Sequence, residues 1–245
     1  MAKFGLVGKN IDYSFSRSYF ADKFNKEGLN HSYVNFDIQN IEEFPEIFTN
    51  NQNLKGLNVT IPYKEEVIPF LNKLNKTAKK IGAINTIKVT KKGKLVGYNT
   101  DYYGFKKSIE PFLESHHKSA LILGTGGASK AIAFALKKLG ITYNYVSRKI
   151  SDKAKFSYQS LSEDNIKSHT IIINCTPLGT HPNTNICPDI PYEALTNKHL
   201  LFDLIYNPEE TKFLSIGKLK GATICNRYRM LELQAEKSWN IWNKG

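Results

Sequence analysis

The stretch Leu121-Ile122-Leu123-Gly124-Thr125-Gly126-Gly127-Ala128-Ser129 decides the fold of this chain. It begins as an apolar strand, passes through a run of glycines and leads into a helical pattern over Ala128–Leu139. In such a unit a pyrophosphate approaches backbone N–H groups at the positive end of the helix dipole, and a Cβ atom at Gly124 or Gly126 would obstruct it. A glycine-rich run alone is often only a turn. The order of strand, loop and helix therefore predicts a dinucleotide-binding loop.

The residues after this loop repeat the alternation of strand and helix. Further strands are predicted at Tyr143–Val146, Ile171–Asn174, Leu200–Ile205 and Ala222–Cys225. Strands that alternate with helices indicate a parallel sheet. We therefore predict a doubly wound, Rossmann-like dinucleotide-binding domain over residues 100–225.

The residues before the loop show a second α/β pattern. The predicted strands are Phe4–Val7, Ser32–Phe36 and Leu57–Thr60, the predicted helices are Ser16–Glu27 and Ile41–Phe48, and the predicted hairpin is Ile84–Val89 with Leu95–Tyr98. This pattern predicts an N-terminal domain over residues 1–99 with a mostly parallel sheet. A C-terminal helix over Tyr228–Trp242, within residues 226–245, is expected to complete it. A cleft is expected between the two domains.

The end of the second strand of the dinucleotide-binding domain indicates which dinucleotide is bound. It reads Ser147-Arg148-Lys149, about 20 residues after the glycines, where an acidic residue would bind the ribose of NAD. None of these three residues is acidic, and two cations with a hydroxyl suit the 2′-phosphate of NADP. The alternative is that Arg148 and Lys149 are ordinary surface charges, and Asp152 follows closely. We predict NADP as the cofactor.

The composition is that of an ordinary globular protein, with 245 residues, 41% hydrophobic and 23% charged. No apolar run approaches the roughly 20 residues of a membrane span, so no membrane association is predicted. The net charge of +12 suits either nucleic acid or small anions. The lysines are spread along the chain without a nucleic-acid-binding motif, so no nucleic-acid partner is predicted. Three scattered cysteines without metal-ligand spacing predict a cytoplasmic protein with no metal.

Three stretches of the first half are polar where a plain α/β core would be apolar. They are Asn58–Lys64, Ala83–Thr86 and Gly97–Asp101. Each has an ordinary structural explanation by itself, since Asp101 suits a helix N-cap, Asn85 a turn and Lys64 a solvated surface. Only their combination points to a function.

Together these stretches resemble the shikimate dehydrogenase family, and the resemblance extends over essentially the full chain. The residues that carry it are Ser14 and Ser16, Asn58–Lys64, Ala83–Thr86, Asn99–Asp101, Gly124–Ala131, Asn174–Gly179, Asp203–Pro208 and Met230–Ala235. The resemblance implies an oxidoreductase that reversibly reduces 3-dehydroshikimate to shikimate with NADPH. This is a step of the shikimate pathway toward chorismate and the aromatic amino acids.

The resemblance also implies roles for individual residues. Lys64 and Asp101 would form the catalytic pair. The implied substrate-binding residues are Ser14, Ser16, Thr60, Lys64, Asn85, Asp101, Tyr206 and Gln234. The implied cofactor-binding residues are Gly124, Thr125, Gly126, Gly127, Ala128, Ser147, Arg148, Lys149, Thr176, Leu204 and Arg227.

The chemistry of ketone reduction suits these residue types. As hydride arrives, negative charge develops on the carbonyl oxygen, and a cation or acid must meet that oxygen. Lys64 can donate there, and Asp101 can orient the lysine and bind a neighbouring hydroxyl. Since a lysine–carboxylate pair titrates as a unit, the sequence leaves open which of the two holds the moving proton.

The chain departs from the family pattern at several positions. Tyr13 and Arg17 replace a histidine and a proline around the two serines. Ser147 and Lys149 replace an asparagine and a threonine, which keeps the cationic character. Arg227 replaces a glycine near the nicotinamide, and arginine disfavours a positive φ.

Two alternative functions stay open at this point. One is a quinate/shikimate dehydrogenase that uses NAD or both cofactors. The other is a non-catalytic NADP-binding paralogue, although such a protein has no chemical need for both Lys64 and Asp101. The sequence does not distinguish a monomer from a homodimer.

Overall fold

A computed structural model describes residues 1–11 and 14–244 of the chain. The chain divides into two compact units, Met1–Tyr103 with Leu231–Gly245, and Gly104–Met230. The α-helices are α1 (Phe15–Lys26), α2 (Phe44–Thr49), α3 (Lys76–Ile81), α4 (Asp101–Ile109), α5 (Gly127–Lys138), α6 (Glu163–Ser168), α7 (Lys212–Leu219) and α8 (Tyr228–Asn243). Within the described residues, no helix combines the length and apolarity needed to cross a membrane.

The first unit is built on a mixed sheet. Its strands are β1 (Ala2–Gly8), β2 (His31–Asp37), β3 (Leu54–Val59), β4 (Lys73–Leu74), β5 (Thr86–Val89) and β6 (Leu95–Tyr98). Their order is β2-β1-β3-β5-β6-β4, with β1 parallel to both neighbours and the β5–β6 hairpin antiparallel. As a result, polar residues that follow β3 and β6 and precede β5 come to one region of this unit.

The C-terminal helix packs on the first unit. Ala235 and Trp242 of α8 are buried against Phe4 of β1 and Phe20 of α1. The Trp242 indole donates to the backbone oxygen of Ile87 at 2.9 Å. Its ring lies so close to β3 that a Cβ atom on Gly56 would come within 2.2 Å of it. This packing holds the polar face of α8 at a defined position in the unit.

The second unit is built on a sheet whose strands are all parallel. They are β7 (Ser119–Leu123), β8 (Thr142–Ser147), β9 (Phe156–Ser157), β10 (Ile171–Asn174), β11 (Leu200–Asp203) and β12 (Thr223–Cys225). The order is β12-β11-β10-β7-β8-β9, so the chain turns to opposite sides of β7. In open α/β sheets, ligands bind outside the carboxyl ends of the strands at such a switch point. The glycine-rich loop follows β7 directly.

The predicted α/β class and doubly wound parallel sheet are confirmed, and several predicted boundaries are wrong. The strand predicted over Leu200–Ile205 ends at Asp203, whose carboxylate accepts from the Ile205 N–H and turns the chain away. The helix predicted over Ile41–Phe48 is split into a 3-10 turn and α2, with a proline in the first turn of α2. Helices α3, α6 and α7 have no counterpart in the sequence prediction, and α4 has one only in the interpretation of Asp101 as an N-cap, whereas Asp101 is the first residue of that helix.

Candidate active site

Lys64 and Asp101 form a buried ion pair in the first unit. The Lys64 Nζ lies 2.6 Å from Asp101 Oδ2, and the side chains are only 8% and 3% exposed. Two charges leave water at a large desolvation cost, so this pair is weak evidence for a stabilising role. A buried, closely paired lysine and carboxylate suit the handling of a proton.

The local fold places both members of the pair. Lys64 lies in the turn after β3, where its backbone oxygen accepts from Ile84 N at 2.7 Å. The preceding residue, Tyr63, is 2% exposed and donates its hydroxyl to Ile38 O, which anchors the turn. Asp101 is the first residue of α4, where the helix dipole favours a negative charge.

A buried amide, that of Asn85, binds the residue that precedes Asp101 in the chain. Asn85 Oδ1 accepts from Thr100 N at 2.6 Å, and Asn85 Nδ2 donates to Thr100 Oγ1 at 2.9 Å and to Gln234 Oε1 at 3.3 Å. Thr100 directly precedes Asp101, so Asn85 fixes the backbone that carries the carboxylate. The structure thus brings Asn85 and Gln234 together, and Asn85 is a buried network residue rather than a turn residue.

Ser238 extends this network and was not predicted. Its hydroxyl lies 2.8 Å from Thr86 Oγ1 and 3.2 Å from Thr100 Oγ1, and it accepts from Asn58 Nδ2 at 3.1 Å. Because Ser238 follows Gln234 by one helical turn, the two side chains share a face of α8. That spacing is the signal by which the sequence reveals it.

The two predicted serines lie at the start of α1. Ser14 caps this helix and accepts from Arg17 N at 3.3 Å. Ser16 is hydrogen-bonded to Tyr33, and burial raises the pKa of Tyr33 well above its usual value. The Tyr33 hydroxyl donates in turn to Asn58 Oδ1 at 2.8 Å, so Ser16 connects to the same buried network. Tyr13 lies outside the described residues.

Thr60 follows β3 in the first unit, and its amide donates to Val7 O at 2.9 Å. A Cβ atom on the neighbouring Gly8 would lie 2.5 Å from the Thr60 methyl group. Close packing against β1 therefore holds this threonine in place.

The glycine-rich loop of the second unit has room for a phosphate group. A Cβ atom built on Gly126 meets nothing within 4 Å, so the space beside this residue is open. Gly126 caps α5, and Gly127 and Ala128 form its first turn, where backbone N–H groups have no partner within the helix. Gly124 has a φ of +99°, which favours glycine. These features fit the pyrophosphate of a dinucleotide.

The basic segment after β8 lies at the carboxyl end of that strand. Ser147 is half-buried, and Arg148 and Lys149 are exposed. The Ser147 hydroxyl holds this segment in a tight turn, since it donates to Lys149 O and accepts from Lys149 N. Two exposed cations at this strand end fit the 2′-phosphate of NADP.

Lys153 is a further cation at this loop, and it was not predicted. Its Nζ donates to Thr125 O at 2.6 Å and lies 4.9 Å from the centre of the Tyr145 ring. It therefore connects the basic segment to the glycine-rich loop. The signal in the sequence is its position five residues after Arg148.

The remaining predicted residues of the second unit follow β10, β11 and β12. Thr176 lies next to Gly124, where a Cβ atom would come within 3.1 Å of the Thr176 methyl group. Arg227 Nη1 donates to Leu204 O at 3.3 Å. Among the described non-glycine residues only Asn10 has a positive φ, so Arg227 stands at its position without that conformation. Tyr206, the predicted substrate-binding residue of this unit, is half-buried in the loop after β11.

The fold of the second unit first indicates the class of protein. A parallel sheet with a glycine-rich loop at its switch point is typical of dinucleotide-binding proteins. The sequence model of the shikimate dehydrogenase substrate binding domain matches residues 6–87. The NADP(+) shikimate dehydrogenase of Methanosphaera stadtmanae is 36% identical over 97% of this chain and 90% of its own length. The chain therefore belongs to the shikimate dehydrogenase family.

Solved structures of shikimate dehydrogenases are similar in fold to this chain over 99% of its length. The shikimate dehydrogenase of Aquifex aeolicus is 34% identical, with a TM-score of 0.87 over 99% of this chain and 92% of that one. The enzyme of Thermus thermophilus, solved with NADP(H) and shikimate, is 27% identical, with a TM-score of 0.88 over 99% of this chain and 94% of that one.

Proposed function

We propose that this chain is an NADP-dependent shikimate dehydrogenase, which reversibly reduces 3-dehydroshikimate to shikimate in the pathway to chorismate and the aromatic amino acids. The observation that carries the proposal is the buried Lys64–Asp101 pair, with Nζ 2.6 Å from Oδ2. The family's NADP(+)-dependent members support the same reaction.

The second unit holds the cofactor in this proposal. The N-terminus of α5 and the open space at Gly126 receive the pyrophosphate, while Arg148 and Lys149 pair with the 2′-phosphate. Thr176, Leu204 and Arg227 lie at the carboxyl ends of the neighbouring strands and would hold the nicotinamide half. When bound, NADPH supplies the hydride that reduces the carbonyl carbon.

Lys64 meets the charge that develops on the carbonyl oxygen. Its ammonium group donates a hydrogen bond to that oxygen and then the proton that forms the product hydroxyl. Asp101 holds the lysine in place through their 2.6 Å contact and accepts from a neighbouring substrate hydroxyl. In the oxidation direction the same pair removes the proton from the hydroxyl.

Polar side chains recognise the rest of the substrate. Ser14 and Ser16 hold its carboxylate. The residues that bind its ring hydroxyls are Thr60, Asn85, Gln234 and Tyr206. A site built from such groups rejects analogues that leave its buried polar atoms unpaired. Asn85 Nδ2 donates to Gln234 Oε1 at 3.3 Å, so the two amides lie side by side, and Gln234 Nε2 keeps one N–H beyond the one that it donates to Leu231 O.

The three cysteines are free thiols, which supports a reducing compartment such as the cytoplasm. The substrate is a small molecule, and the enzyme acts as a monomer or a homodimer.

The test is an absorbance assay for reduced nicotinamide with purified protein and shikimate. NADP⁺ and NAD⁺ are compared in parallel, and quinate replaces shikimate in a second pair of reactions. The proposal expects rapid turnover with NADP⁺ and shikimate. Turnover mainly with NAD⁺ or quinate would move the protein to the dual-specificity alternative, and no turnover by folded protein would overturn the proposed reaction.

A further inference from the structure

Asp203, the last residue of β11, lies at the centre of a fully buried hydrogen-bond cluster in the second unit. Its side chain is 0% exposed. Oδ1 accepts from Asn174 Nδ2 and from Ile205 N, both at 3.0 Å, and Oδ2 accepts from Thr211 Oγ1 at 2.6 Å. One carboxylate therefore connects the end of β10, the loop after β11 and the N-terminus of α7.

The bond to Asn174 leads onward to the glycine-rich loop. Asn174 Oδ1 accepts from Thr176 N at 3.0 Å and from Thr176 Oγ1 at 2.7 Å. The Thr176 methyl group in turn lies against Gly124, where a Cβ atom would come within 3.1 Å. The path from Asp203 to the glycine-rich loop thus runs through Asn174 and Thr176, with no charged group in between.

A plain packing role does not account for a carboxylate at this position. Burial raises the pKa of Asp203 to about 6, so the ionised group is costly to keep in the sheet. The ionisable groups around it are the Arg227 guanidinium, which lowers this pKa, and the neutral side chains of Cys175 and Tyr192. The acceptor capacity of a carboxylate serves three donors at once, which no apolar residue could do.

We propose that Asp203 is a positioning residue for the dinucleotide: by binding Asn174 and the Ile205 amide, it sets the loop that carries Thr176 against Gly124 and the loop that carries Leu204. Asp203 itself touches neither cofactor nor substrate in this account. The inference rests on the proposed function, because it assigns these two loops to the nicotinamide side of bound NADP.

The test measures NADPH binding to the full-length protein without substrate, by the fluorescence of the reduced nicotinamide at about pH 8, where the carboxylate is ionised. We expect Asp203→Ala to weaken the Kd for NADPH about tenfold or more, because the two loops lose their shared anchor. Asp203→Asn keeps the volume and one acceptor oxygen, and it should recover most of that loss.

Thr211→Val is the matched control. It deletes the third hydrogen bond to the same carboxylate, the one that leads to α7 rather than to a loop. We expect its thermal stability to fall while its Kd for NADPH stays within about twofold of wild type. Asn174→Ala should weaken binding as Asp203→Ala does, and the double variant should be no weaker than either single variant, since both break the same path.

The outcomes separate this inference from the proposed function. A wild-type protein that binds no NADPH overturns the proposed function and this inference with it. A wild-type protein that binds NADPH, with an Asp203→Ala variant that binds equally well, overturns the inference alone. Equal losses in Thr211→Val and Asp203→Ala would also overturn it. If Asp203→Ala does not fold, Asn174→Ala gives the same test.

Discussion

The Lys64 ammonium group lies 2.6 Å from the Asp101 carboxylate, with both side chains almost completely removed from water. Such a pair gains little net stability over an apolar contact, because desolvation offsets the attraction. The pair lies next to the buried Asn85–Thr100 hydrogen bonds, and the proposed proton transfer gives a chemical reason for it that stability does not.

The first prediction concerns the stability of this pair. Lys64→Met leaves the buried Asp101 carboxylate without its cation, so the free energy of unfolding should fall by about 3–5 kcal/mol. The double variant Lys64→Met/Asp101→Leu should be more stable than Lys64→Met. Urea unfolding of the three proteins checks this. A single variant as stable as wild type would show that the pair is not a buried ion pair in solution.

The second prediction compares two glycines of the cofactor loop. Gly126→Ala should change the free energy of unfolding by no more than about 1 kcal/mol, because the added methyl group enters open space at a helix cap. It should nevertheless weaken NADPH binding strongly, since the proposed function assigns that space to the pyrophosphate. Gly124→Ala should weaken NADPH binding and also lower the free energy of unfolding, because residue 124 has a φ of +99°, which alanine rarely adopts. Equal NADPH affinity in Gly126→Ala and wild type would contradict this placement.

The third prediction concerns the choice between NADP and NAD. Arg148→Ala should raise the KM for NADP⁺ about tenfold or more, with little change for NAD⁺, because only NADP carries the 2′-phosphate. Lys118→Ala is the control, since this exposed lysine precedes the amino end of β7, away from the carboxyl ends of the strands. If the two variants raise the KM equally, net charge rather than a defined contact is responsible.

The fourth prediction is a pH dependence of stability that comes from Asp203. Its pKa is about 6 in the folded protein and 3.8 as the reference value, so the folded state binds the proton more tightly. Its contribution to the free energy of unfolding is therefore complete below about pH 4 and is lost as the pH rises through 6, by about 3 kcal/mol. Asp203→Asn has no such titration.

The stability of Asp203→Asn relative to wild type should accordingly increase between about pH 4 and pH 7. Denaturant unfolding of both proteins at several pH values measures this difference. A difference that does not change with pH would mean that the carboxyl group titrates as it does in the unfolded chain.

The sequence predicted best what depends on local pattern. The glycine-rich loop follows an apolar strand, so its local pattern was enough to predict it, whereas the roles of Lys64 and Asp101 were predicted only from the family resemblance of several motifs together. Lys153 and Ser238 were missed because their importance lies in contacts with residues distant in the chain, such as Thr125 and Asn58.

Element boundaries failed for a related reason. The end of β11 is set by the side chain of Asp203, which binds the Ile205 amide, and apolar residues continue beyond that point. A prediction from hydrophobicity alone therefore places the end of this strand two residues too late. The helices that were missed, such as α3 and α6, have six residues each and too few turns for a clear period.

The rate of NADPH formation from shikimate by wild type and by Lys64→Ala, at saturating NADP⁺ and with NADPH binding checked in both proteins, tests the central claim most directly. We predict that kcat falls by about 10²–10⁴ in Lys64→Ala while the Kd for NADPH is unchanged, because in the proposed mechanism the lysine acts on the substrate proton and the second unit binds the cofactor. Turnover by Lys64→Ala at the wild-type rate would contradict the assignment of the Lys64–Asp101 pair as the catalytic centre.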